Sequence, residues 1–142
     1  MPRYMRVWSM GCLVLLLTAC CCRPPEPNPQ QQWLEHNIRA YSLRYERRCA
    51  CPYASPAVYM EVRDAEVVEV RDLVSGESLA IDSRYLSIEA LFAYSNAQRA
   101  AHHRNRVRAR YHPQWHYPEE LWLEYYDASP SEHFLLGEMQ RR

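Results

Sequence analysis

The sequence predicts an α+β fold: an antiparallel sheet of about six strands with two helices packed on one face, in the order α-β-β-β-α-β-β-β. Three observations lead to this prediction. Apolar and polar residues alternate over several short segments, which is the pattern of strands with one buried face. Two other segments begin with helix-capping residues and carry apolar residues three or four positions apart. About 110 residues follow position 32, enough for one core and one domain.

Two segments predict helices. The first helix is expected to run from Pro29 to about Arg39, because Asn28 is a good N-cap and proline is favoured at the first helical position. The second is expected to run from its N-cap, Ser87, to about Ala101. The side chains predicted to be buried are Leu34, Ile38 and Tyr41 beside the first helix and Ile88, Leu91, Phe92 and Ser95 on the second.

Alternation with a period of two predicts six strands, the last spanning Phe134 to Gln140. The second and third strands meet at Asp64-Ala65. A two-residue turn there would hold alanine at positive φ, at a cost of about 1 kcal/mol, and a longer loop is the alternative. In the fourth strand a stripe of arginines is expected to face outwards. The predicted inward residues are Tyr41, Leu43, Tyr45 and Cys49, then Val58, Met60 and Val62, then Val68 and Val70, then Val107, Ala109 and Tyr111, and then Leu121, Leu123 and Tyr125.

Residues 1–19 are predicted to be a lipoprotein signal peptide. Arg3 and Arg6 precede an apolar run of about 11 residues, whereas a helix needs about 20 to cross a bilayer. Thr18 and Ala19 then supply small residues immediately before Cys20. Cys20 is therefore expected to carry acyl chains, palmitate among them, that anchor the chain in a membrane. An ordinary secretory signal is the alternative, and either signal exports the protein.

Residues 20–32 are predicted to be a tether rich in proline and glutamine, and residues 33–142 a single domain held off the bilayer. These features predict a location in the cell envelope. If the source is Gram-negative, the outer membrane facing the periplasm is favoured, because residue 21 is cysteine rather than a retention-signal aspartate. Without residues 1–19 the chain has 15 basic and 17 acidic residues, so no nucleic-acid partner is expected.

The order and spacing of several motifs resemble the bacterial lipoproteins grouped as domain of unknown function 6174, over about residues 33 to 140. The resemblance implies the fold and the envelope location, and it brings no activity. Besides the cysteine-containing lipobox, the motifs that carry it are Cys49-Ala50-Cys51-Pro52, the hairpin Val62-Arg63-Asp64 to Val70-Arg71-Asp72, Ile88-Glu89-Ala90-Leu91-Phe92, Tyr111-His112-Pro113, Tyr117-Pro118 and the Asp127 loop.

At three positions the chain departs from this family. Ala65 stands where the family favours glycine, His112 where it favours aspartate, and His116 where it favours glycine. Two of these departures fall in the loop after Tyr111, which is therefore expected to differ from the family pattern.

Cys49 and Cys51 are candidates for a disulfide or a thiol pair. Residues i and i+2 of a regular strand lie about 6.5 to 7 Å apart, which is too far for a disulfide. The chain must therefore bend to bridge them, and Pro52 makes such a bend reasonable. Three interpretations stay open: a structural disulfide, unpaired thiols or pairing with Cys21 or Cys22, and redox or metal chemistry.

The sequence carries no pattern typical of an enzyme, and no cofactor is predicted. It has no nucleophile elbow and no glycine-rich phosphate loop. Glu119 and Glu120 are expected to point to opposite faces of a strand, so they would not form an acid and base couple. No standard metal spacing is present. The histidines are expected at two separate ends of the sheet, with His102, His103 and His133 at one and His112 and His116 at the other.

The remaining candidate is an aromatic surface, and it leads to the predicted function. Clustered aromatic side chains outside the core periods favour a surface for a partner, unless a helix covers that face. The prediction is a non-enzymatic binding or structural module with a protein partner in the envelope. The alternatives are a thiol-disulfide redox or sensor protein using Cys49 and Cys51, and an inhibitor of an envelope hydrolase. The predicted partner surface comprises Trp115, Tyr117, Trp122 and Tyr126.

Overall fold

The computed structural model describes residues 27–142; the predicted signal peptide and Cys20 lie outside these residues. It contains two helices and an antiparallel sheet, and the predicted order α-β-β-β-α-β-β-β is confirmed, with a short strand added at the end. None of the helices described is long and apolar enough to span a membrane. The elements are α1 Pro29–Glu35, β1 Ala40–Arg48, β2 Ser55–Arg63, β3 Glu66–Asp72, α2 Ile88–Ala101, β4 Arg106–Tyr111, β5 Pro118–Glu124, β6 Glu132–Leu136 and β7 Gln140–Arg141.

The sheet consists of two three-stranded meanders that meet at β1 and β6. Its strand order is β3-β2-β1-β6-β5-β4, and β7 pairs with the start of β1. Every pairing is antiparallel, and Tyr45 of β1 lies opposite Leu136 of β6. The first and the sixth strands in the chain therefore form the centre of the sheet.

Both helices pack on one face of this sheet, as predicted. The ring of Trp33 in α1 meets Tyr41 of β1 edge to face at 5.6 Å, and Phe92 in α2 stacks on Tyr111 of β4 at 6.2 Å. A sheet with one covered face explains the period of two along its strands. The largest fully buried side chains are Trp33, Tyr41, Tyr45, Tyr117, Phe134, Leu43, Met60, Ile88, Leu91, Leu121, Leu123 and Val58.

Helix α2 matches its prediction, whereas α1 is shorter than predicted. The hydroxyl of Ser87 accepts a hydrogen bond from the Ala90 amide at 3.1 Å and caps α2. Helix α1 ends at Glu35 because the backbone reaches the left-handed region at Asn37, with φ 49°. The prediction that Leu34 is buried is wrong, since it is 58% exposed and its neighbour Trp33 fills the core instead. Residues 29–32, which the sequence places in the tether, belong to α1.

The turn at Asp64-Ala65 has two residues, so the longer-loop alternative is wrong. The backbone φ angles are 47° at Asp64 and 67° at Ala65, and the flanking Arg63 and Glu66 are paired. Positive φ at both central residues matches the twist of an antiparallel hairpin. The protein thus keeps alanine in a conformation that favours glycine.

The single last strand predicted from Phe134 to Gln140 is divided into β6 and β7. Gly137 lies at the break, where its amide donates to the Arg44 carbonyl at 2.8 Å. A Cβ atom at this position would lie 2.9 Å from the Cβ of Arg44. This close approach explains why glycine is needed where the chain leaves β6.

Candidate binding face

The sheet face opposite the helices, called the outer face here, carries the alternate residues of six strands. Since successive side chains of a strand point to opposite sides, the residues between the buried positions all project from this face. Both helices contact only the other side. The outer face comprises Arg44, Glu46 and Arg48 of β1, Tyr59, Glu61 and Arg63 of β2, Glu69 and Arg71 of β3, Arg106, Arg108 and Arg110 of β4, Glu119, Glu120, Trp122 and Glu124 of β5, and His133 and Leu135 of β6.

Arg110 binds two neighbouring carboxylates on this face. Its Nη1 lies 2.6 Å from Glu119 Oε2, and its Nη2 lies 2.6 Å from Glu120 Oε1. The prediction that these glutamates point to opposite faces is wrong, because the register shifts between Arg110 and Tyr111. The Arg110 guanidinium lowers the pKa of Glu120. A carboxylate held ionised in this way is a poor proton donor near neutral pH.

Glu46 forms a second group of ion pairs in the middle of the outer face. One carboxylate oxygen lies 2.5 Å from Arg48 Nε, and the other lies 3.6 Å from Arg44 Nη2. This group and the Arg110 group line a shallow depression of about 240 Å³, together with Leu135, Leu136 and Gly137. The depression therefore places arginine and glutamate side chains next to the leucine side chains that line it.

The outer face also carries the indole ring of Trp122. Its ring stacks on His133 at 4.8 Å with 15° between the planes. The Nε2 atom of His133 is buried without a hydrogen-bond partner and lies 3.6 Å from a Glu120 oxygen. The aromatic pair is thus set among charged groups, next to the depression.

The four aromatic residues of the predicted partner surface do not form one surface. Tyr117 is only 1% exposed, so its assignment to a surface is wrong; its ring fills the core beneath the loop. Trp115 meets the edge of His36 at 5.1 Å, at the end of α1. Tyr126 is 54% exposed and stacks on His102 at 3.5 Å, after α2. Trp122 remains as the predicted residue that lies on the outer face.

The sulfur atoms of Cys49 and Cys51 lie within disulfide-bonding distance. Strand β1 ends at Arg48, and the following residues turn, with the Ala54 amide donating to the Cys51 carbonyl at 3.2 Å. The bend expected from Pro52 is therefore present, and the two Cα atoms lie 5.2 Å apart. Both cysteines are half-buried. The alternative partners Cys21 and Cys22 lie outside the described residues.

A buried polar network that sequence reasoning missed lies on the helix side of the sheet. Arg47 Nε donates to Glu132 Oε2 at 2.8 Å. The hydroxyls of Tyr94 and Tyr125 donate to the other carboxylate oxygen at 2.7 and 2.6 Å. Burial raises the pKa of both tyrosines. The signal for this network was present, because Arg47 continues the inward series after Tyr45.

The described residues offer little for metal or acid-base chemistry. Across residues 27–142 no three side chains of His, Cys, Asp or Glu are grouped so as to hold a metal ion. His133 stacks on Trp122, and His102 stacks on Tyr126. The buried carboxylate of Glu132 has both oxygens occupied by donors.

The fold and the outer face define a small α+β domain with one helix-covered and one open, charged sheet face. The chain belongs to the family of unknown function DUF6174, whose model matches residues 27–134. The predicted resemblance to this family is thereby confirmed, whereas lipidation stays a prediction. No curated protein and no solved structure matches the chain.

Proposed function

We propose that this chain is a lipid-anchored protein of the cell envelope whose domain binds an acidic protein surface through the outer face of its sheet. The observation that carries the proposal is that arginine side chains on that face are more exposed to solvent than the glutamate side chains with which they pair. Arg108 and Arg110 are 68% and 58% exposed, whereas the Glu120 side chain that pairs with Arg110 is 24% exposed. The same holds for Arg48 and Glu46, at 59% and 15%.

Because these arginine side chains are more exposed than the glutamates with which they pair, an approaching partner meets arginines first. Guanidinium groups retain free donors after one ion pair and bind further carboxylates with good geometry. Trp122 adds an apolar centre of the kind enriched at interfaces. Carboxylates grouped around an apolar side chain are the partner chemistry that complements this face.

The anchor in this proposal is Cys20, and the tether gives the domain its reach. In growing cells an alkyne-labelled fatty acid should label the protein, and Cys20→Ser should abolish the label. Replacing both Cys21 and Cys22 by serine is the matched control and should leave the label in place. Labelling that survives Cys20→Ser would contradict the anchor.

Site-specific photo-crosslinking in intact cells tests the binding face. A photoreactive residue at position 108, on the outer face, should give one adduct of defined mass. A photoreactive residue at position 99, on the exposed side of α2, should not give that adduct. Equal adducts from both positions would contradict binding through the outer face.

Two variants measure the contribution of the face once the crosslinked partner is purified. Trp122→Ala and Arg110→Glu should each weaken binding of the purified pair by roughly 30-fold or more, the effect expected of a central interface residue. Tyr126→Ala, an exposed aromatic outside the face, should change it less than about threefold. Binding should also weaken as the salt concentration is raised.

If the crosslinked partner is an envelope hydrolase, its activity measured with and without this protein tests the inhibitor alternative.

The Cys49 and Cys51 pair favours a second candidate function, thiol-disulfide exchange or redox sensing. The pair bridges residues only two positions apart. On the chain-entropy account a closed loop of about three residues contributes about 1.6 kcal/mol, against about 3 for a loop of about 15. A bridge that adds this little to stability favours a chemical use of the pair.

In the exchange reaction a thiolate of a small dithiol attacks one sulfur of the pair and forms a mixed disulfide. This attack breaks the bond between Cys49 and Cys51 and releases one of the two cysteines as a thiol. The second thiol of the dithiol then attacks the mixed disulfide, which releases the other cysteine and leaves the dithiol oxidised to a disulfide. Intact mass after alkylation, in a chain with Cys21 and Cys22 replaced by serine, counts the free thiols. Reduction at a potential near that of glutathione would support this function. A pair blocked until strong reductant is added would leave a structural bridge.

A further inference from the structure

The loop between β4 and β5, residues 112–117, is held by a histidine nitrogen that acts as an acceptor. His112 Nδ1 accepts hydrogen bonds from the backbone amides of Gln114, at 3.2 Å, and Trp115, at 3.1 Å. A backbone amide can only donate, so Nδ1 must carry no proton and the ring must be neutral. A carboxylate or amide oxygen would fill the same place in an Asx turn. This loop therefore loses two hydrogen bonds when His112 is protonated.

Two further histidines, His36 and His116, join this loop to the end of α1. His36 Nε2 faces His116 Nδ1 at 3.4 Å, with the rings nearly coplanar and their centroids 5.6 Å apart. In this head-on geometry the two nitrogens share one proton, since one must donate and the other accept. His116 holds this position with φ at 60°, a conformation costly for a residue other than glycine. If the pair bound a further proton, both facing nitrogens would carry an N–H group, and the hydrogen bond between them would be lost.

Charged groups of both signs lie around the three imidazoles. The Arg141 guanidinium of β7 lies 5.0 Å from the Trp115 ring, which itself packs on His36. Burial and the nearby carboxylates of Glu119 and Glu138 raise the pKa of Tyr117. The Glu35 carboxylate of α1 accepts a hydrogen bond from the side chain of Gln31. Among the ion pairs within 4.0 Å in residues 27–142, none includes His36, His112 or His116.

From this geometry we infer that residues 112–117 and the C-terminal end of α1 form an acid-sensitive clasp. Imidazole is the side chain that changes charge between about pH 5 and pH 8. Protonation of His112 frees two amides, and protonation of the His36 and His116 pair separates the loop from α1. The change reaches the core, because Tyr117 stacks on His112 at 5.1 Å and meets Trp33 of α1 at 6.2 Å. Mild acid thus loosens the helix that follows the N-terminal segment.

Hydrogen exchange of the full chain in detergent micelles, followed by NMR, tests the clasp. After correction for intrinsic rates, the protection of the Gln114 and Trp115 amides should fall about tenfold or more between about pH 7.5 and pH 5. Over the same range the Ala90 amide, capped by Ser87, should keep its protection. Protection at positions 114 and 115 that stays constant would overturn the inference.

Substitutions separate the clasp from general acid sensitivity. His112→Asn supplies an oxygen that does not titrate, so the Gln114 and Trp115 amides should stay protected at about pH 5. His103→Asn, at an exposed histidine after α2, is the matched control and should retain the acid response. If the His112 variant responds to acid as the natural chain does, the inference is wrong. Should that variant not fold, the ring-nitrogen shifts of the natural chain decide, since an Nδ1 that carries the proton at about pH 7.5 also excludes the clasp.

Discussion

The guanidinium of Arg47 and the carboxylate of Glu132 form an ion pair inside the core, with Nε 2.8 Å from Oε2 and the two side chains only 4% and 8% exposed. Removing two charges from water is costly, and good geometry with further hydrogen bonds offsets that cost. Both conditions are met here, since two tyrosine hydroxyls occupy the other carboxylate oxygen. The pair joins β1 to β6, the two strands at the centre of the sheet.

Removing one partner of this pair should destabilise the domain strongly. Glu132→Leu leaves the Arg47 charge buried and unpaired, and it should lower the free energy of unfolding by about 3 to 5 kcal/mol. The double variant Arg47→Met with Glu132→Leu should recover most of that loss, because it removes both charges. Urea denaturation measures both. Arg48→Ala, which breaks an exposed pair, is the control and should cost less than about 1 kcal/mol. Equal losses from Glu132→Leu and Arg48→Ala would contradict the argument.

Tyr41→Phe should also destabilise the domain, by about 1 to 3 kcal/mol. The Tyr41 hydroxyl donates to Glu89 Oε2 and accepts from the Ile88 amide, both at 2.8 Å, so its loss leaves buried polar groups without partners. Tyr53→Phe, at a ring that is 50% exposed, should change stability by less than about 0.5 kcal/mol. Thermal unfolding of the two variants side by side gives the comparison, and similar losses would show that the Tyr41 hydrogen bonds contribute nothing.

Ala65→Gly should stabilise the domain by about 1 kcal/mol, because glycine adopts the φ of 67° at this position without strain. The reciprocal change is available at Gly76, which has φ 73° and open space within 4 Å of the point that a Cβ atom would occupy. Gly76→Ala should therefore cost about 1 kcal/mol through backbone strain alone. Denaturation midpoints of the two variants should shift in opposite directions. Shifts of the same sign would show that positive φ does not control stability at these turns.

Stability should fall in alkaline solution above about pH 10. Burial raises the pKa of Tyr41 and of Tyr45 in the folded protein. Since the folded pKa lies above the unfolded value, the stabilisation is complete below about pH 10 and is lost as the pH rises. Tyrosinate absorbance and circular dichroism, recorded along one base titration, should show these two hydroxyls ionising together with unfolding. Complete ionisation of all tyrosines before the circular dichroism changes would contradict this prediction.

The parts of the fold that the sequence predicted are those with strong local signals. Helix α2 has a capping serine followed by buried residues at helical spacing, so its limits and its buried side were predicted correctly. The turn at Asp64-Ala65 follows from two alternating segments that flank it, although its length was left open. Helix α1 was predicted too long because its end depends on one left-handed residue, Asn37, that apolar spacing does not report.

The polar parts of the structure were harder to predict, because they depend on contacts between distant segments. Arg47 and Glu132 are 85 positions apart, and each alone resembles a surface charge. Arg110 binds both Glu119 and Glu120 only because the register shifts beside it. The same limit applies to the aromatic surface. Tyr117 lies at the end of a loop that turns its ring inwards, and the four clustered aromatic residues lie in four separate environments.

The pairing of β1 with β6 has a consequence for the time at which the domain folds. Each meander closes through contacts near in sequence, but β1 must wait for residues 132–136 before the sheet is continuous. Pairing of distant segments slows folding, because the loop entropy is lost before the contacts form. A chain threaded through a secretion channel from its N-terminus would therefore stay unfolded until almost all of it has crossed. Export, which belongs to the proposed function, would therefore act on a chain whose sheet is not yet complete.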